Sequence, residues 1–264
     1  MPSVDPTRRA SIVALGAWLV GCGGGGGGGT GSGPAGSVQT KSLTAQASGV
    51  SYPLYIYVPP DDRTPRSALP IVYLLDGESR FQTTVGIVEA RRSRVILVGI
   101  GNEANRARDY VPPNACTPNG GGEGLFLDFI RRELIPFIDA SVGGDPAQRA
   151  LLGHSHGGSF VLYALFNEPP SSRRFSAYLA SDASISCMEA TVYGWDADYA
   201  AANTRLPVRL HLSYSANIAN FPFAEQLVQR HYSGLVLASA AYAGGHIGMI
   251  PAAFADALAF AFAA

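Results

Sequence analysis

The chain has 264 residues, 19 Lys+Arg against 20 Asp+Glu for a formal charge of −1, and 47% hydrophobic against 15% charged residues. So even a balance, with no basic run, excludes a nucleic-acid binder, and the apolar share supplies a substantial core for one large α/β domain or two small ones. Lys41 is the only lysine, which excludes Schiff-base and P-loop lysine chemistry.

Residues 1–21 read as an export signal: Arg8 and Arg9 form a positive start and residues 12–20 a short apolar stretch. That stretch is too short to span a bilayer. It ends in Leu19-Val20-Gly21-Cys22, which resembles the lipobox of bacterial lipoprotein precursors. The resemblance implies cleavage before Cys22, lipidation of Cys22, and a place in the bacterial cell envelope with the membrane reached through the lipid anchor only. Residues 22–37, with glycine at every position from 23 to 29, read as a flexible tether. No lysine follows that run directly and no strand precedes it, so it is not a phosphate loop. The folded domain is expected over 38–264. Cys116 and Cys187 remain as an even pair in an exported chain. They are candidates for a disulfide, with two free thiols as the alternative, and too sparse for a zinc site.

Residues 38–46 and 52–58 alternate as an opening antiparallel pair. The apolar runs 69–75 and 94–100 read as strands buried on both faces, with a helix at 81–90 between them. Residues 125–140 have helical periodicity, with Asp128, Arg131, Arg132 and Glu133 away from the apolar positions. A strand at 149–152 and a helix at 159–166 flank a glycine-rich hexapeptide. Strands at 175–180, 206–213 and 235–241 and helices at 224–232 and 251–262 complete the pattern. The segments 101–124 and 181–205 read as long loops, able to form rims or a partial lid. Strands alternating with helices predict a mostly parallel, doubly wound sheet of about eight strands flanked by helices, with its ligand site beyond the carboxyl ends of the strands.

The hexapeptide is Gly153-His154-Ser155-His156-Gly157-Gly158. Strand, G-x-S-x-G, helix is the nucleophile elbow of the α/β-hydrolases. The glycines two before and two after the serine remove Cβ atoms that would strike the neighbouring strand and helix, and the turn lifts the Ser155 hydroxyl to the positive end of the following helix. Ser155 is the expected nucleophile and needs a base. His154 and His156 flank it and are expected to point away. His211 lies inside a strand and His231 near a helix end. His246, in Gly244-Gly245-His246-Ile247-Gly248 after the last strand, fits the late position of the hydrolase histidine. The acid stays open. The segment after strand 206–213 carries no carboxylate, leaving Asn217 or Asn220 as a neutral partner, Asp182, Asp196, Asp198 or Glu225 as an acid, or a Ser–His dyad. The oxyanion hole is expected from the backbone amides of His156 and Glu78.

Tyr73-Leu74-Leu75-Asp76-Gly77-Glu78, Arg108-Asp109-Tyr110-Val111-Pro112, Gly120-Gly121-Gly122-Glu123-Gly124-Leu125-Phe126-Leu127 and Glu133-Leu134-Ile135-Pro136-Phe137-Ile138 resemble the putative-esterase family of α/β-hydrolases. The family includes enterochelin and other ferric-siderophore esterases, feruloyl and S-formylglutathione esterases, and the antigen 85 mycolyltransferases. The resemblance implies an α/β-hydrolase fold, catalytic Ser155 and His246, and an oxyanion hole at Gly77–Glu78. The chain departs from it at the acid slot, where many relatives carry Glu or Asp and this one has Ala216-Asn217-Ile218. The expectation is a serine esterase acting through an acyl-enzyme on a small-molecule ester, of siderophore, aryl or short-acyl type, with no metal or organic cofactor. The rivals are an acyltransferase of antigen 85 type and a non-catalytic binding lipoprotein on a decayed hydrolase fold.

Overall fold

A computed structural model describes residues 36–61, 63–114, 116–215 and 220–263. The expected signal 1–21, Cys22, nearly all of the 22–37 tether, and Asn217 lie outside the described residues. Strand β1 (Ser37–Thr44) pairs antiparallel with β2 (Ser51–Val58). Strand β3 (Ile71–Leu74) leads into helix α1 (Gly77–Ala90), followed by β4 (Ile96–Ile100) and the short α2 (Arg106–Asp109). Next come α3 (Glu123–Phe129) and α4 (Ile135–Ser141), joined through one wide π turn over Ile130–Leu134. Pro136 explains the wide turn: it has no N–H and its ring crowds the carbonyl four residues back, so the helix admits it by an i→i−5 bond from Ile135 N–H to Ile130 O. Strand β5 (Arg149–His154) and helix α5 (His156–Asn167) form the elbow. The chain continues through β6 (Ala177–Ser181), α6 (Glu189–Ala202), β7 (Arg209–Ser215), α7 (Asn220–Arg230), β8 (Val236–Tyr242), α8 (Gly245–Gly248) and α9 (Ile250–Ala261).

Among the described residues the eight strands form one sheet, ordered β1-β2-β4-β3-β5-β6-β7-β8. The pairs from β4 to β8 are parallel; β2 joins β4 antiparallel. The mostly parallel, doubly wound α/β-hydrolase sheet expected from the sequence is therefore present. Every residue of β3, β4, β5 and β6 is buried, as strands covered on both faces require. Alternation divides them between two cores. Ile71, Tyr73, Leu151 and Tyr178 face α3 to α7, whereas Val72, Leu74, Leu152 and Leu179 face Phe81, Val85 and Val88 of α1 and Phe254 and Leu258 of α9.

Two expectations change. The 181–205 segment is not a loop: it holds the fourteen-residue α6. Its inward stripe, Val192, Asp196 and Tyr199, includes a carboxylate, which breaks the apolar period that marks a helix in sequence. Asp196 is tolerated inside because Gln226 (2.5 Å), Arg230 (2.7 Å) and Tyr232 (2.8 Å) all donate to it. Helix α1 starts at Gly77 rather than near residue 81, because Asp76 takes a left-handed conformation (φ 53°, ψ 47°) that turns the chain directly from strand to helix.

Candidate active site

Ser155 sits between β5 and α5 with φ 61° and ψ −123°. For a residue with a side chain this conformation is strained, and it persists only where the surroundings enforce it. Its N–H bonds to Ser181 O (2.9 Å), locking the elbow to the end of β6. A Cβ on Gly153 would lie 2.3 Å from Gly157 O, and one on Gly158 would lie 2.8 Å from Ser181 O and 3.0 Å from Ala183 Cα. On Gly157 the same atom would meet nothing closer than Asp76 Oδ2 at 3.4 Å. The steric demand expected two residues after the serine therefore falls three residues after it, where α5 passes over the end of β6.

A carboxylate does stand directly after β6. His246, on the α8 turn after β8, donates from Nδ1 to Asp182 Oδ2 at 2.6 Å. Asp182 follows β6, has φ 44°, and is buried; its Oδ1 accepts the N–H of Ser215 (2.9 Å) at the end of β7. The carboxylate thus reaches across β7 to the turn after β8. Asn220, another candidate partner for the base, instead donates from Nδ2 to Ala183 O (2.9 Å) and braces this acid loop. Glu225 and Asp198 are exposed on their helices, and Asp196 is engaged within its own network. The His246 side chain is 47% exposed, and its ring centroid lies 4.5 Å from that of His154. Ser155 Oγ bonds to Ser184 Oγ (3.3 Å) rather than to His246; hydrogen bonds of a catalytic site are often long or unformed before substrate binds.

Three other histidines have separate surroundings. His154 is buried against Ser181 Oγ (Nδ1 at 3.1 Å), and burial, reinforced by His246 and by Arg80 and Arg106, pushes its pKa down to about 3. It is therefore neutral at any working pH. His156 does not point away as expected. Its Nδ1 lies 3.4 Å from Ser184 Oγ and its Nε2 2.8 Å from Thr117 Oγ1, and burial, then Arg106, lowers its pKa. His211 lies inside β7 against Phe260, and burial pushes its pKa down to about 4.

The amides of Glu78 and His156 lie in the first turns of α1 and α5, where backbone N–H groups have no partner within the helix and the dipole favours negative charge. Asp76 and Arg106 hold these two turns together. Arg106 donates to both oxygens of buried Asp76 (3.1 Å each) and from Nη2 to His154 O (3.4 Å). Tyr110 Oη accepts the Asp76 N–H (3.2 Å). The Glu78 side chain turns aside to accept the N–H of Asn102 (2.9 Å) and of Glu103 (3.3 Å). Cys116 and Cys187 are joined in a disulfide, Cα–Cα 5.7 Å, that ties the loop after α2 to the loop after β6. Sequence reasoning missed Arg106, Thr117 and Ser184; only the Asp76-Gly77-Glu78 motif pointed toward the clamp. Among the described residues no cluster of His, Cys, Asp and Glu could hold a metal.

The family model described as "Putative esterase" matches residues 45–189, just over half of the chain. The chain is 38% identical over 152 residues to the siderophore triacetylfusarinine C esterase of Aspergillus fumigatus, covering 52% of this chain and 50% of that protein. It is 29% identical over 173 residues to the ferri-bacillibactin esterase BesA of Bacillus subtilis, covering 56% and 58%. The aligned part thus spans about half the length of these curated relatives. An IroE-like serine hydrolase from Shewanella oneidensis superposes with a TM-score of 0.74 at 26% identity, over 84% of this chain and 79% of that one. The BES protein of Bacillus cereus, at 22% identity and a TM-score of 0.75 over 91% and 100%, shares the fold. An eight-stranded hydrolase sheet, a strained serine elbow and a match running from β2 to the start of α6 place this chain in that esterase family.

Proposed function

We propose that the protein is a serine hydrolase of carboxylic esters, with Ser155 as nucleophile, His246 as general base, Asp182 as its orienting acid, and the amides of His156 and Glu78 as the oxyanion hole. The observation that carries the reading is the 2.6 Å hydrogen bond from His246 to buried Asp182, made beside a serine with φ 61°. Asp182 holds the proton of His246 on Nδ1 and leaves Nε2 free to take the Ser155 proton. Ser155 Oγ then attacks the ester carbonyl, the carbonyl oxygen takes the negative charge toward the two amides, and the alcohol leaves with the proton from Nε2. Water repeats the sequence on the acyl-enzyme.

For the substrate we propose a siderophore ester, on the strength of the relatives named above and of the openness around His246, 47% exposed, which suits a bulky ester. A place in the cell envelope through lipid on Cys22 is supported by Leu19-Val20-Gly21-Cys22; a Cys22→Ser chain should then leave the membrane fraction. The argument for a non-catalytic protein was the lack of a carboxylate after β7, and Asp182 removes it; acyl transfer has no observation of its own. The test is labelling by a fluorophosphonate together with hydrolysis of p-nitrophenyl butyrate and of a ferric siderophore trilactone. Wild type should label and turn over, whereas Ser155→Ala and His246→Ala should do neither. A wild type that fails to label ends the proposal.

A further inference from the structure

The catalytic roles above leave three side chains beside the nucleophile unexplained. Ser184 Oγ lies 3.3 Å from Ser155 Oγ and 3.4 Å from His156 Nδ1, and His156 Nε2 lies 2.8 Å from Thr117 Oγ1. Thr117 is one residue from Cys116 and Ser184 three residues from Cys187, so the Cys116–Cys187 disulfide fixes both ends of this row. Ser184 is held further by its backbone N–H, which bonds to Ser159 Oγ (3.0 Å) and to Ser155 O (3.3 Å).

Counting protons gives the row a direction. A neutral imidazole has one N–H and one acceptor nitrogen, and burial, then Arg106, lowers the pKa of His156 and so favours that form. The Thr117 Oγ1–Nε2 contact admits either role; with Thr117 as the donor to Nε2, the ring proton sits on Nδ1, aimed at Ser184 Oγ. Ser184 then gives its own proton to Ser155 Oγ, and the Ser155 proton stays available to His246. Each hydroxyl in the row donates once and no two protons face each other.

We propose that Ser184 is a further catalytic residue of the ester hydrolysis, donating a hydrogen bond to Ser155 Oγ, with His156 and Thr117 as positioning residues that set the direction of that donation. This rests on the serine-esterase reading of the site. The consequence differs between the two half-reactions. In acylation Ser155 Oγ gives electron density to the carbonyl carbon, and a donor on it does not help. In deacylation Ser155 Oγ is the leaving group: the acyl carbon–Oγ bond breaks, its electron pair goes to Oγ, and His246 returns the proton taken from water. Ser184 keeps its own proton throughout and stabilises the charge developing on Oγ. Removing one such donor from a developing oxyanion costs about 10²–10³ where geometry is ideal; at 3.3 Å we expect about tenfold.

The experiment uses the full chain and p-nitrophenyl trimethylacetate, whose acyl group leaves slowly enough for the acyl-enzyme to be followed by intact mass. Acylation is read from p-nitrophenol release and deacylation from loss of the acyl mass. Ser184→Ala keeps the backbone bonds to Ser159 and Ser155 and should melt with wild type. It should acylate within about threefold of wild type, deacylate about tenfold more slowly, and show KM and kcat falling together in steady state. Thr117→Val should reproduce part of the deacylation loss, and Thr117→Ser, which keeps the hydroxyl, should restore it. If Ser184→Ala deacylates at the wild-type rate, or slows both half-reactions equally, the proposal is wrong while the esterase reading stands. If wild type never forms the acyl-enzyme, both fall.

Discussion

Asp182→Asn is the sharpest test of how the base is oriented. The Asp182 side chain is 0% exposed, and its two oxygens do different work: Oδ2 accepts from His246 Nδ1 at 2.6 Å and Oδ1 from Ser215 N–H at 2.9 Å. Asparagine has the same shape and can keep the Ser215 bond through its carbonyl oxygen. It then presents an N–H to His246, so Nδ1 must accept and the ring proton moves to Nε2. That is the atom meant to take the serine proton. In the serine proteases this inversion lowers kcat by about 10⁴, or about 5 kcal/mol of transition-state stabilisation at ~1.36 kcal/mol per decade. The fold should hardly notice. Asp182→Ala, by contrast, leaves the Ser215 N–H without its partner and should also lose about 1–3 kcal/mol of stability. The assay is steady-state hydrolysis of p-nitrophenyl butyrate beside a thermal melt, with Ser155→Ala as background and Glu225→Gln as control. If Asp182→Asn keeps more than a tenth of the wild-type kcat, Asp182 does not orient His246 and the triad is misassigned.

Gly158→Ala places a Cβ 2.8 Å from Ser181 O and 3.0 Å from Ala183 Cα; it should destabilise by about 1–3 kcal/mol and cut kcat by shifting the acid loop. Gly157→Ala should be milder, and equal melts and rates for the two would contradict the steric account. Replacing both Cys116 and Cys187 by Ser opens a crosslink with a sequence separation of 71 and should cost about 2–4 kcal/mol in denaturant titration; an unchanged midpoint would show that the bridge carries no stability. Stability should also fall on acidification below about pH 6.5. Burial lowers His154 to about 3 and His211 to about 4. Between those values and the ordinary histidine value the unfolded chain binds the extra protons, so stability rises with pH. At pH 5 the loss is about 2 kcal/mol per histidine; equal stability at pH 5 and 7.5 would refute it, and His211→Phe should remove about half of the slope.

Much of this site can be read along the chain because its signals are local. A sharp strand-to-helix turn needs glycines beside its serine, and strands buried on both faces need unbroken apolar runs such as Ile71–Leu74. A histidine on a glycine turn after the last strand follows from chain order. Other features were hidden because they depend on separations across the sheet. Helix α6 hides its stripe behind buried Asp196, whose partners Gln226, Arg230 and Tyr232 lie 30, 34 and 36 residues away. The steric limit at Gly158 comes from Ser181 at the end of β6 and from Ala183 just beyond it.

The acid shows most plainly where the division lies. The residue types for a triad are all present in the sequence, and so is the absence of a carboxylate after β7. Which carboxylate serves depends on parallel pairing of β6, β7 and β8, which brings Ser181, Ser213 and Ala240 side by side, and on the φ of 44° at Asp182. That backbone angle turns one oxygen onto Ser215 and the other onto His246. The sequence by itself determined the sheet and singled out Ser155 and His246 as candidates for nucleophile and base, since each follows from short-range sterics, chain order and the periodicity of burial. Only the tertiary structure brought Asp182 to His246 and made the Arg106–Asp76 clamp and the Ser184–His156–Thr117 row, because a hydrogen bond is set by distance in space, and the residues that make these are from 28 to 64 positions apart in the chain.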